Sequence, residues 1–162
     1  VQYQLARAVR SQNNTIVHAI ALAPLINRIT SALSKVYREK SVDYSLLLDE
    51  TALFGADERD LMEMLGNLLE NAFKYSHSKV RVSLVCDDDG VHLELEDDGP
   101  GVSPEMRHII LQRGARVDTS AAPGQGIGLA VAVDILSSYD GQLEVGDSSL
   151  GRASFKIILP TG

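Results

Sequence analysis

The sequence predicts an α+β fold, a two-layer α/β sandwich in which a layer of helices covers one sheet. Three observations predict it. Two long stretches repeat apolar residues at helical spacing, two short segments alternate apolar and polar residues around a turn at Asp87–Gly90, and a third helix signal is followed by two more strand signals.

In chain order, residues 1–14 are polar and carry only Leu5, Ala8 and Val9 at helical spacing, so they read as the tail of a helix or a linker. Thr15 to Leu22 is apolar and β-branched and reads as a strand. Pro24 then opens a helix expected to run to about Lys40, with Ile26, Ile29, Leu33 and Val36 on one face. Two short extended pieces, Asp43–Leu48 and Ala52–Phe54, precede a long helix from about Asp57 to Tyr75. Leu61, Met64, Leu65, Leu68 and Ala72 form its inner face, and Asp57 is placed to cap it.

Val80, Val82 and Leu84, then Val91, Leu93 and Leu95, make a hairpin with one buried face. Residues from about 102 to 125 are rich in Gly, Pro, Arg and Ser, with one short helix signal at Ser103, Pro104 and Glu105. A connection of that length inside a compact domain reads as a functional lid. A helix from about Ile127 to Tyr139 ends at Asp140 and Gly141. Two strands close the chain, the second with Ala153, Phe155, Ile157 and Leu159 inward.

Composition narrows the function. With 162 residues, 44% of them hydrophobic, the chain holds one core, and residues 15–162 read as one domain. A net charge of −7 without any run of Lys or Arg argues against nucleic acid. Cys86 is the single cysteine, which leaves no disulfide and no cysteine cluster for zinc. No apolar stretch approaches the roughly 20 residues that span a bilayer, so no direct membrane contact is expected of these residues.

On the helix ending at Tyr75, Asn67, Asn71 and Lys74 fall within roughly 40° of one stripe. Two amides beside a cation suit Mg²⁺ next to a phosphate, since Mg²⁺ takes few protein ligands and keeps its waters. The same stripe also fits an ordinary polar helix surface. Asp97 continues the inward parity of Val91, Leu93 and Leu95, and a carboxylate aimed at the interior needs donors to meet it. Gly99 and Gly101 follow in Asp97-Asp98-Gly99-Pro100-Gly101 and open the wall to a flat ligand, whose adenine amino group would supply the donor. A plain acidic turn is the competing reading.

Gly124-Gln125-Gly126-Ile127-Gly128 leads straight into an apolar helix, where free N–H groups and the helix dipole favour phosphate. It is neither a Walker loop nor a dinucleotide fingerprint, because no Gly-Lys-Ser/Thr ends it and no strand precedes it. Arg113 and Arg116 sit on the lid, within reach of terminal phosphates once it closes. His18, His77, His92 and His108 make no nucleophilic arrangement.

Taken in order and spacing, these features resemble the histidine kinase and gyrase-type ATPase superfamily. Gly66–Tyr75, read Gly-Asn-Leu-Leu-Glu-Asn-Ala-Phe-Lys-Tyr, resembles the N box of sensor histidine kinases, and Asp97–Gly101 and Gly124–Gly128 resemble their two G boxes. The likeness covers nearly the whole chain. It implies the Bergerat-type ATP-binding fold, a mixed, mainly antiparallel sheet of about five strands backed by three helices. ATP would lie between the N-box helix and the lid. Asn71 and Asn67 would serve Mg²⁺, with Asn71 and Lys74 the catalytic pair. Asp97 would bind adenine, and Lys74, Tyr75, Gly99, Gly101, Arg113, Arg116, Gln125, Gly126, Ile127, Gly128 and Leu129 would line the nucleotide.

The resemblance also implies a division of labour. Hydrolytic members carry a glutamate one turn before the metal asparagine, where Asn67 stands here. An amide cannot act as general base, and Glu70 lies about 100° around the helix from Asn71. Transfer to a histidine is therefore expected, the acceptor arriving on a separate dimerisation domain, with residues 1–14 as the end of that domain. The family's acceptor motif is absent, so no autophosphorylation by this chain alone is expected. The implied setting is the cytoplasmic part of a bacterial inner-membrane sensor serving a response regulator. Leu111 stands where many relatives place a lid phenylalanine. Two rivals remain at this point: a nucleotide-binding regulatory module without turnover, and an ATPase or serine kinase of the same fold.

Overall fold

The computed structural model describes residues 17–101, 125–151 and 153–160. The expected N-terminal helix or linker (1–14) and nearly all of the lid (102–124), with Leu111, Arg113 and Arg116, lie outside the described residues.

The chain opens with β1 (His18–Ala21) and passes directly into α1 (Leu22–Val36). The strand is shorter than the apolar run suggested, because the helix starts at Leu22 rather than at Pro24. Proline is tolerated there, since the first-turn N–H groups have no intrahelical partner in any case. The helix also stops short of Lys40. A 3₁₀ turn, Arg38–Lys40, replaces its last turn, and Ser41 at φ 54° ends it in the left-handed region.

β2 (Asp43–Leu48) and β3 (Leu53–Ala56) come next, followed by α2 (Glu58–Tyr75). Asp57 caps α2 as expected, its Oδ1 accepting from Arg59 N at 2.9 Å. The five predicted inward residues of α2 are all buried, joined by Leu69 and Phe73.

β4 (Lys79–Asp87) and β5 (Gly90–Asp97) form the hairpin, α3 (Gln125–Ser138) follows, and β6 (Gln142–Gly146) and β7 (Ala153–Pro160) close the chain. The end of α3 is a Schellman closure: Asp140, at φ 59°, donates to Ser137 O, and Gly141 N donates to Leu136 O at 2.8 Å. The left-handed position is thus Asp140. Gly141 packs closely, since a Cβ there would lie 3.0 Å from the Ile158 carbonyl oxygen and press on the movable end of Leu136.

Five strands make one mixed sheet in the order β2-β4-β5-β7-β6, with β2 parallel to β4 and every other pair antiparallel. β1 and β3 form a separate two-stranded ribbon. The register stacks Val82, Leu95, Phe155 and Val145 in one inward row and Leu84, Leu93, Ile157 and Leu143 in the next. The three helices cover this face. Leu129, Ala132, Ile135 and Leu136 of α3 join the core, where each large apolar side chain contributes about 1.5–3 kcal/mol. Among the described residues the expected sandwich of three helices on a five-stranded mixed sheet is the observed one. Among the described residues no helix is long and apolar enough to cross a membrane.

Candidate nucleotide site

Asp97 ends β5 in the row of Val80 and Ala153, an inward position that its sequence parity required. It is 2% exposed. Among the described residues its donor is Gly99 N–H, 2.8 Å from Oδ1. Burial is the main force on this carboxyl and raises its pKa from 3.8 to about 6, the Gly99 bond opposing that rise and the Asp98 charge adding to it. The charges of Lys40 and His77 also reach it and lower it. A carboxylate held this way retains acceptor capacity for a donor from outside the protein.

Asp98 behaves in the opposite sense. Burial would raise its pKa, but its Oδ1 accepts from the backbone N–H groups of His77, Ser78 and Lys79 at 2.8, 3.0 and 3.0 Å, and Ser78 Oγ donates to Oδ2. Those bonds win and hold it at about 2. Adjacent carboxylates are thereby divided, one fastening the end of α2 to the end of β5 and the other buried at the end of β5 beside Gly99 N–H.

Gly99 has a different reason from the one the sequence suggested. A Cβ there would run into the Tyr75 carbonyl oxygen and lie 2.7 Å from Asp97 Oδ1, so the space is taken by α2 and not left open to a ligand. Gly101 sits at φ 72°, which a side chain rarely adopts. Gly151, in the β6–β7 connection, is a third requirement that local sequence did not signal: a Cβ would lie 2.7 Å from the Asp98 Cα. Nearby, Arg81 makes a bidentate pair with Glu96, and Ser148 Oγ donates to the same carboxylate, tying that connection to β5.

α2 supplies the remaining candidates. The fold brings the Tyr75 end of α2 to the turn after Asp97, since Tyr75 O abuts Gly99. Lys74 is exposed, with its Nζ 5.5 Å from the centre of the Tyr75 ring. Burial pushes the half-buried Tyr75 hydroxyl above its usual range. Asn71 and Asn67 are half-buried, but Asn67 stands about 12 Å up the helix from Tyr75. It lines a groove of about 450 Å³ between α1 and α2, with Ile29, Leu33 and Met62. Glu70 turns to that same side and accepts from Tyr37 OH at 3.2 Å.

Among the described residues no group of three or more His, Cys, Asp or Glu side chains could hold a metal. A divalent cation at Asn71 and Asn67 would therefore rest on amide, water and phosphate oxygens, a set that suits Mg²⁺.

Gln125, Gly126 and Ile127 open α3, and their N–H groups have no intrahelical acceptor, while Gly128 lies where the helical bonding begins. The Leu129 side chain is 1% exposed and belongs to the core, so what it can offer a nucleotide is its backbone. Lys40 was not found from sequence: its Nζ donates to Phe73 O and Lys74 O at 2.9 and 2.6 Å from more than 30 residues away. No local pattern marks such a contact.

Residues 56–162 match the family described as histidine kinase-, DNA gyrase B- and HSP90-like ATPase. The chain is 45% identical over 161 residues to the two-component sensor PhoQ of Pseudomonas aeruginosa, an alignment covering 99% of this chain and 36% of that protein. It is 43% identical over 137 residues to the sensor protein PhoQ of Escherichia coli K12, covering 85% of this chain and 28% of that one. The chain thus spans about a third of the length of the curated relatives it matches. Among solved structures, the mycobacterial sensor histidine kinase MprB superposes with a TM-score of 0.75 at 25% identity, over 90% of this chain and 97% of that one.

Proposed function

The chain belongs to the histidine kinase-, DNA gyrase B- and HSP90-like ATPase family, and from that premise we propose that it is the ATP-binding catalytic domain of a two-component sensor histidine kinase. The observation that carries the reading is Asp97, a carboxylate 2% exposed at the end of β5, against the turn of α2 that bears Lys74 and Tyr75. Leu93 and Leu95 fill the inward positions before it, and the single Gly99 N–H only partly offsets the cost of burying a carboxylate in that row. An adenine 6-amino group is the donor that relieves the cost.

In this reading the Asp97 carboxylate accepts from the adenine edge, and Tyr75 and Gly101 line the base. Lys74 offsets phosphate charge, aided by the N–H groups of Gln125, Gly126 and Ile127 at the start of α3, with Gly128 and Leu129 continuing the helix whose dipole points at the phosphates. Residues from about 102 up to the start of α3 would serve as a lid that brings Arg113 and Arg116 to the terminal phosphates. Asn71 and Asn67 would hold Mg²⁺, which when bound neutralises developing charge on the phosphates. Asn71 and Lys74 thus carry the catalytic assignment, by positioning and charge and not by proton transfer.

Transfer is favoured over hydrolysis because, among the described residues of α2, neither Asn67 nor Glu70 is suited to act as general base at the metal asparagine. Asn67 is an amide, and the Glu70 carboxylate is directed toward Tyr37. The γ-phosphoryl group would pass to a histidine nitrogen on the parent's dimerisation domain, leaving ADP, and then serve a response regulator. Residues 1–14 would join the two domains, and the parent would be an inner-membrane sensor with this part in the cytoplasm.

The test is calorimetric titration of a non-hydrolysable ATP analogue with Mg²⁺ into wild type and Asp97→Asn. Saturable binding to wild type, lost in the variant, is expected. Equal binding to both would refute the adenine assignment, and no binding to wild type would refute the nucleotide site. Incubation with ATP and a separate histidine-bearing hairpin should then give acid-labile phosphate on the hairpin and none on this chain.

A further inference from the structure

The last turn of α2 is finished from outside the helix. Four carbonyls at a helix C-terminus lack intrahelical donors. Here Ala72 O takes the last i→i−4 bond, from Ser76 N, and beyond it Phe73 O takes both Ser76 Oγ at 3.1 Å and Lys40 Nζ at 2.9 Å. Lys74 O takes Lys40 Nζ at 2.6 Å, and Tyr75 O is the oxygen against Gly99. One ammonium group thus serves two consecutive carbonyls of the turn that carries the nucleotide candidates Lys74 and Tyr75.

The ammonium is held in place by its own element. Lys40 N donates to Tyr37 O at 3.0 Å, and Ser41 N donates to Arg38 O at 3.1 Å. The Tyr37 ring packs on Phe73 with centroids 6.4 Å apart, and its hydroxyl reaches Glu70. Burial lowers the Lys40 pKa, while the carboxylates of Asp97 and Asp98 oppose that drop. The cation therefore faces three sources of negative potential: the C-terminal end of the α2 dipole and two carboxylates, one of them the adenine candidate.

We propose that Lys40 is a positioning residue for the nucleotide: by clamping the Phe73 and Lys74 carbonyls beside Asp97, it fixes the spacing between the Tyr75 turn and that carboxylate, into which the amino edge of adenine fits. The assignment rests on the nucleotide reading above. It predicts an effect on which purine is accepted as well as on how tightly any purine binds. A 6-oxo base offers Asp97 an acceptor where adenine offers a donor, so discrimination depends on that spacing.

The 162-residue chain is titrated with ADP and with IDP as wild type, Lys40→Met, Lys40→Gln and Lys40→Arg, after circular dichroism establishes which variants are folded. Lys40→Met keeps the aliphatic stem and loses the charge, and Lys40→Gln replaces it should the methionine variant not fold. The expected result is that ADP binds about three- to tenfold more weakly, a loss in the range of a helix-end charge, with a parallel fall in the ADP-over-IDP preference. Lys40→Arg is expected to restore both. An unchanged preference, whether affinity is retained or both nucleotides weaken equally, would overturn the proposal and leave Lys40 a structural cap. Failure of arginine to restore the preference would overturn it too. If wild type binds neither nucleotide, the nucleotide reading itself falls, and a wild type that binds both equally removes the adenine assignment of Asp97.

Discussion

Asp97 and Asp98 are the same residue type one position apart, and their surroundings send them in opposite directions. Asp97 has a folded pKa of about 6 against an ordinary 3.8. Between those values the folded state binds more protons than the unfolded one, so stability falls as pH rises through that window, and above it the buried charge costs about 3 kcal/mol. Asp98, held at about 2, contributes stability that is present above pH 4 and lost as pH falls toward 2. Asp97→Asn should therefore raise stability at pH 7 by on the order of 2 kcal/mol while removing nucleotide binding, and the gain should vanish near pH 4. Urea melts of both proteins at the two pH values check this. A variant no more stable than wild type at pH 7 would mean that the site stores no such cost.

Elements are set partly by residues at their ends. Asp57 offers its carboxylate to the exposed N-terminus of α2, and the side chain is buried while the partner Arg59 is largely exposed. The ion pair between them is screened and adds little. The cap itself is the useful part, so Asp57→Ala should destabilise by about 1 kcal/mol in a urea melt, with Asp57→Ser recovering most of it. The other end of α2 follows a different rule. Its cap signal is spread over Ser76, Lys40 and Asp98, of which only Ser76 is adjacent in sequence. Sequence therefore located both ends of this helix, with Asp57 as cap and Tyr75 as last residue, but revealed the capping groups only at its start.

At the scale of the whole molecule, α2 is the part against which other elements are aligned. Its C-terminal turn meets β5 through Gly99, and its N-terminus meets the end of α3 through Tyr139. The Tyr139 hydroxyl donates to Asp60 Oδ2 at 2.6 Å and accepts from Asp57 N at 3.2 Å, and burial together with Asp60 pushes its pKa up to about 12. Tyr139→Phe removes both bonds at little change in volume and should cost about 2 kcal/mol. The urea midpoint should fall with an unchanged slope, and ADP affinity should stay within about twofold if the two ends of α2 act independently.

The alternation of Val91, Leu93 and Leu95 was enough to place Asp97 inside, because a strand has a period of two and one buried face settles the parity of every residue on it. The stripe of Leu61, Met64, Leu65, Leu68 and Ala72 likewise settled α2, and the spacing of its asparagines and of the glycine loops carried the family resemblance. What local order did not contain was contact across the chain. The clamp of Lys40 on α2, the filling of the Gly99 space by Tyr75 O and the seat of Gly151 on Asp98 are decided only when distant segments meet. The physical reason is that periodicity encodes which face is buried, whereas donors, acceptors and close backbone contacts depend on what is brought opposite that face.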